Sequence, residues 1–281
     1  MKNDRINRIY ITANKLRVNV LEMMGIGKPG HLGGSLSLAE IVSALYFDFM
    51  HFDPANIKDP DRDRFILSKG HAVLIQYAAL VELGVIPRSE LAKTKSLEGI
   101  LQGHPDMGQT PGIEAVTGSL GQGLSIGVGM ALAARLDNRK YRVFVVMGDG
   151  EISEGQIWEA AMAASTFKLG NLTGILDRNG IQSTGRTNEV FAIPELEDKW
   201  RSFGWNVITI DGHDVEQILK AFGAAQQMEE KPTVIIADTV KGKGISYAEN
   251  SAAFHNAALT EEQMKKALAE LKTEGEIYET K

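Results

Sequence analysis

The chain has 281 residues, 43% hydrophobic and 23% charged, which is ordinary globular composition with material for a sizeable core. A net charge of −6 with no basic stripe argues against nucleic acid as the main partner, because phosphate backbones need clustered Lys and Arg. Cysteine is absent, which excludes disulfides, zinc–thiolate sites and cysteine nucleophiles and agrees with a reducing compartment.

Residues 1–5 are polar with no apolar stretch behind them, so they do not read as a secretory signal. Residues 5–24 place apolar side chains at helical spacing (Ile6, Ile9, Tyr10, Ala13, Leu16, Val20, Met23) and stop at Gly25. A glycine-rich loop, 25–34, follows; Ser37 and Glu40 then read as a capping box opening a helix to about Met50. Another helix is predicted from near Gly70 to Leu83, then a Gly/Pro-rich loop over 100–113 and a glycine-studded helix over 117–136. The apolar stretch 124–136 is shorter than the ~20 residues a bilayer span needs. No membrane association is expected, and a cytoplasmic location is.

Strand 143–147, a helix over about 154–168 opened by a Ser153/Gln156 box, and strand 172–176 form one βαβ unit. Strands 206–210 and 234–237 follow, separated by a helix starting at an Asp214/Gln217 box; a last helix starts at Thr260/Gln263. Alternating helices and continuously apolar strands predict an α/β fold, a mostly parallel sheet with helices on both faces. No linker divides the chain, so a single domain over 1–281 is expected. Ligands of such sheets sit at the carboxyl ends of the strands.

At one such end stands Gly148-Asp149-Gly150, and thirty residues beyond Asp149 comes Asn179, again after an apolar run. A carboxylate and an amide oxygen at two strand tips can share one divalent cation, and the glycines let a large anion approach the backbone. Mg²⁺ takes an oxygen shell usually completed by phosphate and water. The spacing therefore suggests a Mg²⁺–diphosphate clamp, with the carbonyl of Ile181 as a third ligand; Ca²⁺ or Mn²⁺ suits the same donors. Alone, the triplet fits a plain strand-to-helix turn equally well.

The motif also resembles that of thiamine diphosphate enzymes, and 149–160 with 168–179 resemble its transketolase version. Pro29-Gly30-His31, Ser68-Lys69-Gly70-His71, Gly103-His104-Pro105, the segment 117–123, Lys241-Gly242-Lys243-Gly244 and Phe254-His255 match transketolase motifs in the same order. The resemblance implies that His71 and His255, beside Gly150, contact the cofactor diphosphate. It places His31, His104 and His255 against the donor sugar, where neutral imidazoles move protons near pH 7. Gly118, Ser119 and Leu120 resemble the segment beside the thiazolium–pyrimidine region, and Glu154 and Glu159 a carboxylate network between paired sites, with Glu154 counted among the cofactor residues. Ser119 stands where the family usually has proline, and Asn256 where it commonly has glycine. His51 and His213 match no motif and read as solvated side chains.

A transketolase chain is more than twice this length, and nothing in 200–281 resembles its pyrimidine-binding domain. The resemblance thus implies the N-terminal subunit of a split transketolase. A partner chain would hold the pyrimidine and the activating glutamate, as an α2β2 assembly on sugar or sugar-phosphate substrates. The activity implied is transfer of a two-carbon ketol unit from a ketose to an aldose with thiamine diphosphate and Mg²⁺. Two alternatives remain open at this point. One is another thiamine diphosphate enzyme, such as a 2-oxo-acid dehydrogenase subunit or a deoxyxylulose-phosphate-synthase relative; the other is a non-catalytic binding protein with a retained site.

Overall fold

A computed structural model describes residues 2–279 of the chain. In chain order its elements are α1 (Lys2–Met24), α2 (Leu32–Leu36), α3 (Ala39–Ala44), β1 (Arg64–Leu67), α4 (Leu74–Glu82), α5 (Gln122–Leu136), β2 (Val143–Gly148), α6 (Gly155–Thr166) and β3 (Leu172–Arg178). There follow the ribbon β4 (Ile181–Gln182) and β5 (Gly185–Arg186), then α7 (Thr187–Val190), α8 (Leu196–Ser202), β6 (Asn206–Asp211), α9 (Val215–Gln226), β7 (Thr233–Asp238) and α10 (Glu261–Glu279).

The main sheet is five-stranded, in the order β1-β2-β3-β7-β6, and every pairing in it is parallel. Its central strands are continuously buried because helices cover both faces. On one face α1, α3, α4, α9 and α10 supply the core around Leu16, Ile41, Tyr77 and Phe222. On the other, α5, α6 and α8 pack around Val145, Ile157, Trp200 and Trp205. The chain advances from β1 to β3 and then returns from β6 to β7. Right-handed crossovers therefore put α9 on the face opposite α6.

The α/β architecture expected from the alternating pattern is the one observed, and three local expectations are corrected. Ser37 and Glu40 do not form a capping box. The Ser37 hydroxyl donates instead to buried Asp177 (2.8 Å), and Glu40 pairs with Arg17. Satisfying a buried carboxylate outweighs a cap worth ~1 kcal/mol. Ser153 and Gln156 do not cap α6 either: Ser153 donates to the Gly150 carbonyl, and Gln156 pairs with Gln122 and Ser125. The helix placed over 117–136 starts only at Gln122, because Gly118 (φ 146°) and Gly121 (φ 86°) hold backbone shapes that no helix tolerates.

Two expected caps are present. Asp214 accepts the Glu216 and Gln217 amides, and Thr260 and Gln263 exchange hydrogen bonds in a reciprocal box. Strand β1, at four residues too short to show a period, lay outside the sequence reading. So did α8, whose apolar anchors are only Leu196 and Trp200.

Candidate active site

The pairing of β2 with β3 sets Gly148 against Asp177, so the next residues on each strand emerge side by side at the sheet's carboxyl edge. Asp149 accepts the Gly150 amide (2.8 Å) through one carboxylate oxygen and the Gly180 amide (2.5 Å) through the other. Asn179 donates its amide to Asp177 (3.0 Å), which fixes which end of the side chain is oxygen. That oxygen accepts the Ile181 amide at 3.1 Å. The sequence-predicted trio Asp149, Asn179 and Ile181 is thus brought together on one turn and the strand beside it.

Above the tips lies a cleft of ≈ 330 Å³ lined by His31, Lys69, His71, Gly118, Leu120, Asp149, Gly150, Glu154, Asn179, Ile181, Lys241 and His255, among others. Ser119 is exposed and does not line it, and His104 stands exposed at its mouth. The histidines come from four separate segments and gather around His31. Ring centroids lie 5.0 Å from His71, 5.4 Å from His255 and 6.4 Å from His104. Glu154 precedes α6 at the cleft wall; Glu159, on the exposed face of α6, does not line it.

Burial first, and then the charges of Lys95, His104 and Lys241, push the His31 imidazole down to about 4. Burial, followed by Lys69 and the neighbouring histidines, pushes His71 down to about 2. Burial and Lys241 take His255 to about 4, and burial with Lys95 lowers His104. All four rings are therefore neutral near pH 7, each with one N–H and one acceptor nitrogen. Lys241 donates to His255 Nδ1 (3.0 Å), which leaves the ring hydrogen on Nε2.

Four buried charged residues in or beneath the cleft have no role in the sequence analysis: Lys69, Glu151, Asp177 and Lys241. Asp177 is fully buried and receives Lys69, Ser37, Thr239 and Asn179. Burial alone would raise its carboxyl, but Lys69's charge and these hydrogen bonds hold it below the ordinary range. Burial raises Asp149, and the neighbouring Asp177 adds to it. Lys241, 2% exposed, donates to the Ile181 carbonyl at 2.6 Å, and burial with Lys69 nearby lowers its ammonium to about 8. The signal available was a charged residue inside an otherwise apolar strand (Asp177) and two lysines beside glycines (Lys69, Lys241), since buried charge requires partners. His213 is not the solvated side chain expected: it is largely buried and bonded on both ring nitrogens.

The donors fit a hard cation, being one carboxylate, one amide oxygen and one carbonyl. Among the described residues no group of three His, Cys, Asp or Glu offers a rival metal site. The cradle also suits an anion. Lys69, His71, Lys241 and His255 line it together with Gly150.

A parallel sheet with an acid–amide pair at adjacent tips, under a histidine-lined cleft, defines the thiamine-diphosphate-binding fold class. Within that class the chain belongs to the transketolase family: residues 10–278 match the family described as "Transketolase, thiamine diphosphate binding domain". Its chemistry is of the transketolase type, that of a transferase.

The chain is 48% identical over 264 residues to the 6-deoxy-6-sulfo-D-fructose transketolase subunit of Clostridium sp. (strain MSTE9), covering 94% of this chain and 96% of that protein. It is 42% identical over 267 residues to an apulose-4-phosphate transketolase subunit of Phocaeicola vulgatus, covering 95% of each. The solved transketolase of Campylobacter jejuni superposes with a TM-score of 0.88 at 31% identity, over 97% of this chain and 46% of that one. The chain thus spans nearly the whole of its subunit relatives and less than half of the solved transketolase. No helix among the described residues is long and apolar enough to cross a membrane.

Proposed function

We propose that this chain is a single-domain, diphosphate-binding subunit of a two-chain transketolase located in the cytoplasm. It holds Mg²⁺ through Asp149, Asn179 and the Ile181 carbonyl, and the diphosphate of thiamine diphosphate against His71, Gly150, Lys69 and Lys241. When bound, thiamine diphosphate supplies the nucleophilic thiazolium carbon that cleavage beside a ketone requires. Gly118, Leu120 and Glu154, which line the cleft, would hold the remainder of that cofactor.

The observation that carries this reading is the convergence of four neutral histidines over an acid–amide pair at two strand tips. Ketol transfer requires a proton to leave the hydroxyl on the carbon beside the ketose carbonyl, and later to be returned. Neutral imidazoles at His31, His104 and His255 accept and donate that proton near pH 7. A simple decarboxylating enzyme has no such hydroxyl to deprotonate, so this cluster favours a polyol substrate.

Exposed Glu154 on the cleft wall and exposed His104 beside it leave one side of the cleft open, which supports completion by a second chain carrying the pyrimidine-binding domain, as α2β2. Both similar relatives are named as subunits, and both names carry an anionic sugar tail, sulfo or phosphate. A ketose with an anionic end is the substrate class these names support. The test is to purify the chain alone and with its candidate partner and assay two-carbon transfer from such a ketose to an aldose. Transfer only by the pair is expected; full activity from the isolated chain would refute the two-chain reading.

A further inference from the structure

His213 lies outside the cleft, in the turn between β6 and α9, yet it touches the segment that carries Lys241. Its Nε2 accepts the Val240 amide at 2.8 Å, so that nitrogen is unprotonated. The hydrogen is therefore on Nδ1, which faces Glu40 Oε2 at 2.9 Å. Glu40 is 3% exposed and also bound by Arg17, itself 1% exposed. Burial would raise the Glu40 carboxyl, but Arg17 and His213 outweigh it and hold the group at about 2. The Glu40 carboxylate thereby accepts the Nδ1 hydrogen, and the ring's other nitrogen faces the Val240 amide.

The residues flanking Val240 show what this contact is for. Beyond β7 the sheet ladder ends, and each residue finds a different anchor. The Thr239 hydroxyl donates to Asp177, and the Gly242 amide to Gly33 in α2 (3.0 Å). Between them Lys241 turns its ammonium into the cleft, onto the Ile181 carbonyl (2.6 Å) and His255 Nδ1 (3.0 Å). Among the described residues Val240 has no strand partner, and the histidine ring supplies the acceptor for the amide one residue before Lys241.

We infer that His213 is a positioning residue, which through the Val240 amide sets Lys241, and through Lys241 the ring of His255, against the bound diphosphate. The inference rests on the reading of the cleft as a thiamine diphosphate site. His213 touches neither cofactor nor substrate; it acts through backbone.

The test uses the reconstituted two-chain complex with Mg²⁺, as wild type, His213→Phe and His213→Gln. Phenylalanine fills the ring volume with neither donor nor acceptor, whereas glutamine carries both and can serve Glu40 and Val240 together. Thiamine diphosphate binding is measured by calorimetry, and deuterium uptake is followed in peptides spanning 238–244. Losing the anchor is expected to weaken binding about tenfold in the Phe variant and to speed exchange at Val240, with Gln within about threefold of wild type. Equal loss in both variants, or none in Phe, would overturn the inference, since mere structural disturbance does not separate them. If the Phe variant does not fold, His213→Asn, too short to reach both partners, takes its place under the same criterion. Failure of the wild-type complex to bind thiamine diphosphate would instead overturn the reading of the cleft, and deuterium uptake at Val240 would still decide the tether.

Discussion

Asp149 and Asn179 hang from adjacent parallel strands whose register is fixed by hydrogen bonds along six residue pairs. The histidines facing them come from loops or short turns around positions 31, 71, 104 and 255, with no shared ladder. One side of the cleft is therefore as rigid as the sheet, and the other is assembled from segments far apart in the chain. The difference matches two tasks. A metal-bound diphosphate needs fixed oxygens, whereas proton transfer needs rings placed around a substrate that comes and goes. Under the proposed function, the metal would be held at the sheet tips and protons moved by His31, His104 and His255 on the loops, with the loop-borne His71, Lys69 and Lys241 adding to the hold on the diphosphate.

The sharpest way to break that division is at the tips. Asp149→Ala or Asn179→Ala should remove cofactor retention and lower two-carbon transfer by more than about a hundredfold, as loss of metal-site residues does. Circular dichroism should stay that of the wild type; a variant that still retained cofactor would place the clamp elsewhere. Lys69→Met attacks the support beneath the tips by leaving Asp177 buried without its cation. It should cost ~3–5 kcal/mol in urea unfolding. A loss within error of zero would mean that Ser37, Thr239 and Asn179 suffice.

On the loop side, His31→Asn should lower kcat about a hundredfold or more, in the range of general acid–base catalysis, while thiamine diphosphate affinity stays within about threefold. Equal losses in rate and cofactor affinity would erase the division between the two sides.

Acid offers a gentler probe. Histidines with folded-state values depressed from 6.5 to about 4 or below bind fewer protons folded than unfolded. Stability is therefore lost as pH falls from 6.5 towards 4. Urea midpoints of the cofactor-free protein should fall over that window, and less steeply in a His31→Asn/His71→Asn double variant. An unchanged slope would show that other groups carry the acid response. Smallest of all, Thr260→Ala removes the cap of α10, which does not line the cleft. It should cost ~1 kcal/mol with activity intact; altered activity would show that α10 is coupled to the cleft.

The tips were legible in the sequence for a local reason. An apolar run followed by Gly-Asp-Gly, a helix and a second apolar run ending at Asn179 specifies one βαβ unit, and parallel pairing does the rest. Asp214 and Thr260 were readable as caps for the same reason. The histidine cluster was not derivable from spacing, because it depends on how distant loops fold back; motif resemblance alone supplied it. Ser37 and Ser153 misled because the capping pattern is local while their hydroxyls answer to tertiary partners, Asp177 and the Gly150 carbonyl. For Lys69, Asp177 and Lys241 the linear chain offers motif membership or an out-of-place charge but no role, and for His213 neither, because the partners that define a buried polar residue are tertiary.

The most direct test of the clamp replaces Mg²⁺ with Mn²⁺ in the two-chain complex and reads the metal's electron spin resonance for phosphorus coupling. Bound thiamine diphosphate should give a ³¹P hyperfine splitting in the wild type that vanishes with Asp149→Ala. The same splitting in the variant, or none in the wild type, would contradict a metal held at the two strand tips and shared with the diphosphate.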